Sequence, residues 1–333
     1  MRGLCVALLV GSMSVALASA QGIHGPVHPP AKDPARAREG LKGTYKLVSI
    51  ERRTADGALL PLMSEHPTGY VIYDQAGYMA VVLQESGRKP YRSGQPTLEE
   101  ALATFTTYSG FFGTYDVDAG AKVVTHHKQG GFDPDESGAV EKRAFELAGS
   151  RLTLKAPATG AIRSTLVLEK MRDLDTLTPR HRTFIGFRQL VGNDTKNEKG
   201  EVLPGPSGGV AAGGMTANPG QSGVIIYTST GVMAVHMMHP NRPKTRGPQS
   251  TPAEALEAIR GYNTYFGTYR FEPGKDIVVH ERAGSFNPST VEDVPRAYTF
   301  EGNRLTLMPP STTPGRQGYL TWEALPGSVR ATR

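Results

Sequence analysis

Gly69-Tyr70-Val71-Ile72-Tyr73, followed by Gly77, Met79, Ala80 and Val81, returns later in the chain as Gly223-Val224-Ile225-Ile226-Tyr227, followed by Gly231, Met233, Ala234 and Val235. The offset that carries residue 69 to 223 also carries Phe112-Gly113-Thr114-Tyr115 onto Phe266-Gly267-Thr268-Tyr269. Self-similarity of this length means two copies of one folding unit, each long enough to bury its own core. It also makes divergence observable inside one chain. Residues kept in both copies are the first candidates for fold or function.

Outward from this stretch the copies align again. Gly43-Thr44-Tyr45-Lys46-Leu47-Val48 matches Gly186-Phe187-Arg188-Gln189-Leu190-Val191 at a smaller offset, because the second copy carries a longer loop, Gly205 to Gln221, rich in Gly and Pro. Arg143-Ala144-Phe145 matches Arg296-Ala297-Tyr298, and Arg151-Leu152-Thr153-Leu154 matches Arg304-Leu305-Thr306-Leu307. The expected organisation is a leader at 1–20, a Pro-rich linker at 21–40, a first unit at 41–171, a joining segment at 172–182, a second unit at 183–326 and a tail at 327–333.

Most segments are short, alternating and rich in Val, Ile, Thr and Tyr, with Gly or Asp-Gly between them. In the first copy they predict antiparallel strands over 43–51, 69–74, 78–84, 112–118, 121–128, 142–148, 151–155 and 163–170. That number suits a small closed barrel, which also removes exposed strand edges. One helix interrupts each copy. Thr97 with Glu100, and Thr251 with Glu254, are capping boxes, the second with Pro252 at the first helical position. Leu98, Ala101, Leu102, Phe105 and Tyr108 then share one helical face, as do Ala255, Leu256, Ile259 and Tyr262. This helix is expected to plug or flank one barrel end.

Composition narrows the function. Arg2, the apolar run Leu4 to Leu17 and Ala18-Ser19-Ala20 form a secretory leader pattern that would leave Gln21 as the new N-terminus. The one cysteine, Cys5, lies in that leader, so the expected mature chain has no disulfide, thiolate metal site or cysteine nucleophile. No later stretch has the roughly 20 consecutive apolar residues of a membrane span. The net charge of +6, from 37 Lys+Arg against 31 Asp+Glu, is scattered rather than clustered, which argues against nucleic-acid binding. Metalloprotease, nucleophile-elbow, phosphate-loop and dinucleotide motifs are missing from the sequence. No cofactor is expected.

Tyr108, Phe112-Gly113-Thr114-Tyr115-Asp116-Val117, Val124-Thr125-His126-His127, Arg143 and Arg151-Leu152-Thr153-Leu154, with Gly69, Tyr73 and Gly77-Tyr78-Met79, resemble the lipocalin-like domain family of microbial proteins. The resemblance covers nearly all of both copies. It implies an all-β chain of two tandem antiparallel barrels of the calycin type, each with one short inserted helix and an interior cavity. It settles no activity, because related barrels bind hydrophobic ligands while others isomerise or cyclise polyketide-like substrates without a cofactor. Tyr45 and Phe187 are expected where such domains often place a tryptophan. Trp322 is the one tryptophan in the chain.

The chemical candidates are the matched polar residues. His126 and His280 share a strand face with Val124/Val278 and Lys128/Arg282. If that face points inward, each histidine offers the cavity a proton donor or acceptor. The simpler reading is a structural histidine bonded to a neighbouring strand. Arg143 and Arg296 suit an anchor for a carboxylate or enolate oxygen, or a buried pair with Glu169 and Glu323. Tyr73/Tyr227, Tyr108/Tyr262 and Tyr115/Tyr269 offer an apolar ring with a polar handle, as cavity lining or as core. His24 and His28 lie in the linker. His236 and His239 have a spacing that puts them on opposite strand faces, against one shared metal. The Gly205 to Gln221 loop is either a lid or a tolerated insertion.

Three classes of function remain. The first is non-covalent binding of a small, largely apolar molecule by an exported protein, periplasmic or secreted. The second is a cofactor-independent isomerase or cyclase using His or Tyr proton transfer and an Arg anchor. The third is a structural or interaction module with solid cores and an exposed apolar patch between the barrels. The sequence leaves the oligomeric state open.

Overall fold

Leader, most of the linker and most of the long second-copy loop lie outside the described residues. The computed structural model describes 38–60, 66–157, 162–203, 221–245, 250–311 and 313–328. The first copy contains β1 (Gly43–Thr54), β2 (Leu59–Leu60), β3 (Thr68–Tyr73), β4 (Tyr78–Gln84), helix α1 (Leu98–Thr107), β5 (Tyr108–Asp118), β6 (Val123–Gly131), β7 (Val140–Ala148), β8 (Arg151–Lys155) and β9 (Ile162–Lys170). Helix α2 (Pro179–Phe184) follows. The second copy contains β10 (Gly186–Asn197), β11 (Val202–Leu203), β12 (Ser222–Tyr227), β13 (Val232–Met238), α3 (Pro252–Arg260), β14 (Tyr262–Phe271), β15 (Ile277–Ser285), β16 (Val294–Glu301), β17 (Arg304–Met308) and β18 (Arg316–Ala324).

In each copy the strands pair antiparallel in chain order, and the first closes on the last: β1 on β9, β10 on β18. The two-residue β2 and β11 only extend the long first strands. The result is two closed eight-stranded antiparallel barrels, as the strand count predicts. Alternation supplies each interior. Tyr45, Leu47, Val71, Tyr73, Met79, Val81, Tyr115, Val124, Leu152, Leu154 and Leu168 lie on the inner face of the first, and their counterparts on that of the second. The first strands carry matching irregularities, between Leu47 and Ser49 and between Leu190 and Gly192. The extra residue in each, Val48 or Val191, turns outward and is exposed.

The Phe-Gly-Thr-Tyr motif is a packing device. A Cβ on Gly113 would lie 2.0 Å from the His127 carbonyl oxygen, and one on Gly267 1.9 Å from that of Glu281. Both glycines sit where the pairing with the next strand shifts register. The motif's tyrosines point inward and tie down the opposite hairpin: the Tyr115 hydroxyl donates to Asp74 O at 2.6 Å, and that of Tyr269 to Thr228 O at 3.0 Å.

The barrels are joined by a third core. Tyr70, Ile72, Ala80, Val82, Tyr108 and Phe112 on the outer face of β3–β5 pack against Val224, Ile226, Ala234, Met238, Tyr262 and Phe266 of β12–β14. These strands are therefore buried on both faces, and β4 is buried along nearly its whole length. Of the two expected placements, plugging or flanking a barrel end, plugging does not occur: α1 and α3 pack on each other, with Ala101, Ala255 and Ile259 in this seam. Both capping boxes form as read. Tyr108 and Tyr262 are not on the helices: Tyr108 opens β5 directly after α1, and Tyr262 opens β14 one residue after α3, past the capping Gly261.

Matched arginines clamp the seam. Arg88 donates across it to the carbonyls of Ser285 and Phe286, and Arg242, its counterpart in the second copy, donates to those of Gly131 (2.6 Å) and Phe132. The backbone amide of Tyr91 meets Ser289 Oγ at 2.9 Å, and that of Thr245 meets Asp135 Oδ1 at 3.3 Å. Each contact is the image of the other under the repeat, so the two units are related by a pseudo-twofold within one chain. Burial lowers the pKa of Arg242 to about 10, still far above neutrality, so the clamp stays charged.

Candidate functional site

Each barrel holds one histidine at its centre. β6 and β15 alternate, so Val124, His126 and Lys128, or Val278, His280 and Arg282, project inward. His126 and His280 are both fully buried. The Tyr73 hydroxyl lies 2.7 Å from His126 Nε2, and the Tyr227 hydroxyl 2.7 Å from His280 Nε2. Burial, then the nearby arginines, hold both imidazoles well below their usual pKa, so both are neutral at pH 7. The tyrosines are pushed in the opposite direction by burial and keep their protons.

The barrels differ at the other ring nitrogen. His280 Nδ1 meets the Tyr265 hydroxyl at 2.9 Å, completing a Tyr227–His280–Tyr265 chain. The first copy has Phe111 at the position of Tyr265, and His126 Nδ1 has no partner among the described residues. Tyr45 also keeps a buried hydroxyl without a partner, as Arg143 does Nε and Nη1, and burial raises Tyr45 to about 12. Nearly all buried polar atoms in folded proteins are bonded to protein or water, and these four have no protein partner among the described residues.

Toward the helix-side end of the first barrel the charges are paired. Lys128 Nζ lies 2.9 Å from both Glu136 Oε1 and Glu141 Oε2, and Glu141 Oε1 lies 2.8 Å from Arg143. Burial pushes Glu141 up, but Arg143 and Lys128 outweigh it and hold the carboxyl below its usual range. Glu169 and Glu323, expected as partners of Arg143 and Arg296, instead face Arg151 (3.9 Å) and Arg304 (3.6 Å) on the surface. They leave the barrel because they sit one position out of phase with the inward residues Leu168 and Trp322.

The structure thus brings Tyr73, His126 and Arg143 together in one barrel and Tyr227, His280 and Arg296 in the other. Tyr115 and Tyr269 close the hairpin end of each. Tyr108 and Tyr262 lie apart, in the seam, where the Tyr108 hydroxyl meets Thr264 Oγ1 (3.0 Å) and the Tyr262 hydroxyl meets His236 Nδ1 (3.0 Å). His236 is buried in the seam beside Phe112. Phe187 also proves to be a seam residue: it pairs with Ile226 and stacks on Tyr78, so it does not occupy the inward position of Tyr45. That position belongs to Arg188, which donates to Asn303 O (2.9 Å) and Thr183 O (2.7 Å) and closes one end of the second barrel with Phe300. Among the described residues no group of three metal-ligating side chains occurs.

Residues missed in the sequence include Tyr265 and Glu141 inside the barrels and Arg88/Arg242 in the seam. The last pair was visible, since the main offset carries 88 to 242. The seam itself had a signal too. Val-Ile-Tyr and Met-Ala-Val-Val-Leu are continuous apolar runs, the mark of strands covered on both faces.

An eight-stranded closed barrel with an apolar interior and a few buried polar atoms is the architecture of a small binding-type barrel. The chain belongs to the lipocalin-like domain family, whose model matches residues 42–169 and 210–324. No curated protein matches it. Solved structures similar to it include a DUF3598-family protein of unknown function from Nostoc punctiforme (9% identity, 89% of this chain and 100% of that one, TM-score 0.24). A candidate outer membrane protein from Bacteroides fragilis (10%, 87% and 99%, 0.21) is another. A third is a tryptophan-to-alanine mutant of the vaccine antigen transferrin binding protein B from Haemophilus parasuis (8%, 89% and 77%, 0.20).

Proposed function

We propose that the chain is an exported binding protein that holds a small, largely apolar molecule non-covalently inside a barrel. The observation that carries this reading is the set of buried, unpartnered polar atoms set in an apolar wall: Tyr45 Oη, His126 Nδ1 and Arg143 Nε and Nη1. An unbonded buried polar group costs about 1–3 kcal/mol, and a ligand oxygen placed there recovers it. Export is supported by the basic start, apolar run and small-residue triplet at residues 1–20. The interaction-module reading is less well supported. The apolar faces between the barrels are consumed in the seam, and among the described residues the exposed large apolar side chains are scattered.

A second reading, a cofactor-independent isomerase or cyclase, draws on the Tyr227–His280–Tyr265 chain as a proton path. The energetics favour binding. A general base works best with a pKa near the operating pH. His280 is held well below that range with both nitrogens engaged, and its tyrosines are pushed the other way.

Native mass spectrometry of the protein purified from its own host, without organic solvent, tests the binding reading. A small-molecule adduct lost on denaturation is the expected result. Well-folded protein without an adduct, and without affinity for N-phenylnaphthylamine as a neutral apolar probe, would refute it.

A further inference from the structure

The two barrels diverge most around the histidine's charged neighbours. In the first, Lys128 and Arg143 are neutralised by Glu141 and Glu136. In the second, Arg282 stands in place of Lys128, and Arg296 in place of Arg143. The carboxylates are gone. Strand pairing sets Glu141 opposite His126 but Val294 opposite His280, and the repeat sets Thr290 where the first copy has Glu136. Divergence has kept both cations and removed both anions.

What remains is an unbalanced pair of guanidinium groups. Arg282 lies on the inward face of β15, 5.6 Å from the Tyr265 ring, and spends only Nε, on Glu292 O at 2.8 Å. Its terminal nitrogens have no acceptor among the described residues, and Arg296 there makes neither hydrogen bond nor ion pair. Glu292 and Asp293 are near Arg282 but exposed, and neither forms an ion pair with it. Burial lowers the pKa of Arg282, with Arg296 pushing the same way. Both arginines also help to keep His280 neutral. Two like charges in a half-buried site are stabilised by an anion, and guanidinium groups suit a carboxylate or sulfonate by bidentate hydrogen bonding.

We propose that the second barrel selects an apolar molecule bearing one anionic oxygen group, carboxylate or sulfonate, which Arg282 and Arg296 hold, while the first barrel is already self-neutralised and selects a neutral ligand. This rests on reading the barrel interior as a binding site. Anilinonaphthalene sulfonate and its neutral parent, N-phenylnaphthylamine, separate the two ideas, because they share a skeleton and differ by the anion.

In fluorescence titrations of the full chain, the sulfonate should bind at least about tenfold more tightly than the neutral parent. Arg296→Gln should erase that difference while leaving the neutral probe within about threefold. Val294→Glu restores the first barrel's carboxylate without removing either arginine, and should have the same effect. Cooperative urea unfolding followed by Trp322 fluorescence establishes that each variant is folded. Equal affinity for both probes, or variants that weaken both alike, would overturn the anion selectivity and leave the binding reading standing. Binding of neither probe would overturn both.

Discussion

Lowering the pH should weaken this protein through its seam, and His236 sets the size of the effect. Its imidazole is fully buried between the barrels, facing Tyr262, Thr264 and Phe112. Burial lowers its pKa from 6.5 to about 3. In the unfolded chain the same group protonates near its ordinary value. Between these two values the unfolded state binds more protons than the native state, so stability is fully present above pH 6.5 and declines as the pH falls toward 3. At about pH 5 the loss from this one residue is about 2 kcal/mol. His126 and His280, also held neutral by burial, act with the same sign. Domains of ordinary size have only about 5–15 kcal/mol to lose. Urea unfolding, read by Trp322 fluorescence and circular dichroism, should show a midpoint that falls steeply from about pH 7.5 to about pH 5. His236→Val installs the residue that the first copy has at this position, Val82. It should remove about 2 kcal/mol of the pH dependence, whatever it does to stability at neutral pH. A variant with the wild-type pH slope would show that His236 titrates normally and that the seam around it is open to water.

Three further outcomes follow from the geometry. Gly267→Ala places a methyl 1.9 Å from the Glu281 carbonyl oxygen and should cost more than about 3 kcal/mol, seen as loss of the cooperative Trp322 transition. Phe111→Tyr gives His126 Nδ1 the partner that Tyr265 gives His280, and should raise stability by about 1 kcal/mol in urea titrations; no gain would mean that Nδ1 is already satisfied. Arg242→Ala removes hydrogen bonds to Gly131, Phe132 and Ala258 carbonyls and should cost about 3 kcal/mol, splitting one calorimetric transition into two as the barrels uncouple.

The barrels were legible because a strand pattern is local. Alternation, glycine punctuation and the capping boxes at Thr97 and Thr251 all act within a few residues. The repeat then told which segments recur. The seam was harder because it joins residues far apart in the chain, and sequence alternation does not say which side of β3–β5 meets another barrel. Tyr108 and Tyr262 illustrate this. Their spacing continues the helical face, yet each chain segment turns to strand at that residue, and the ring enters the seam. Tyr45 and Phe187 illustrate a register error of one position. A strand residue displaced by one changes face, so the true counterpart of Tyr45 is Arg188. At the site, the matched His, Tyr and Arg were readable as a set. The differences that distinguish the barrels, Phe111 for Tyr265 and Val294 for Glu141, become meaningful only once pairing places them beside the histidines.

The most direct test is a crystal structure of the full chain soaked with N-phenylnaphthylamine. The expected result is ordered probe inside the first barrel, against Tyr45 and His126, with the seam unchanged. Probe bound only on the surface or between the barrels, with water alone on His126 Nδ1 and Arg143, would contradict it.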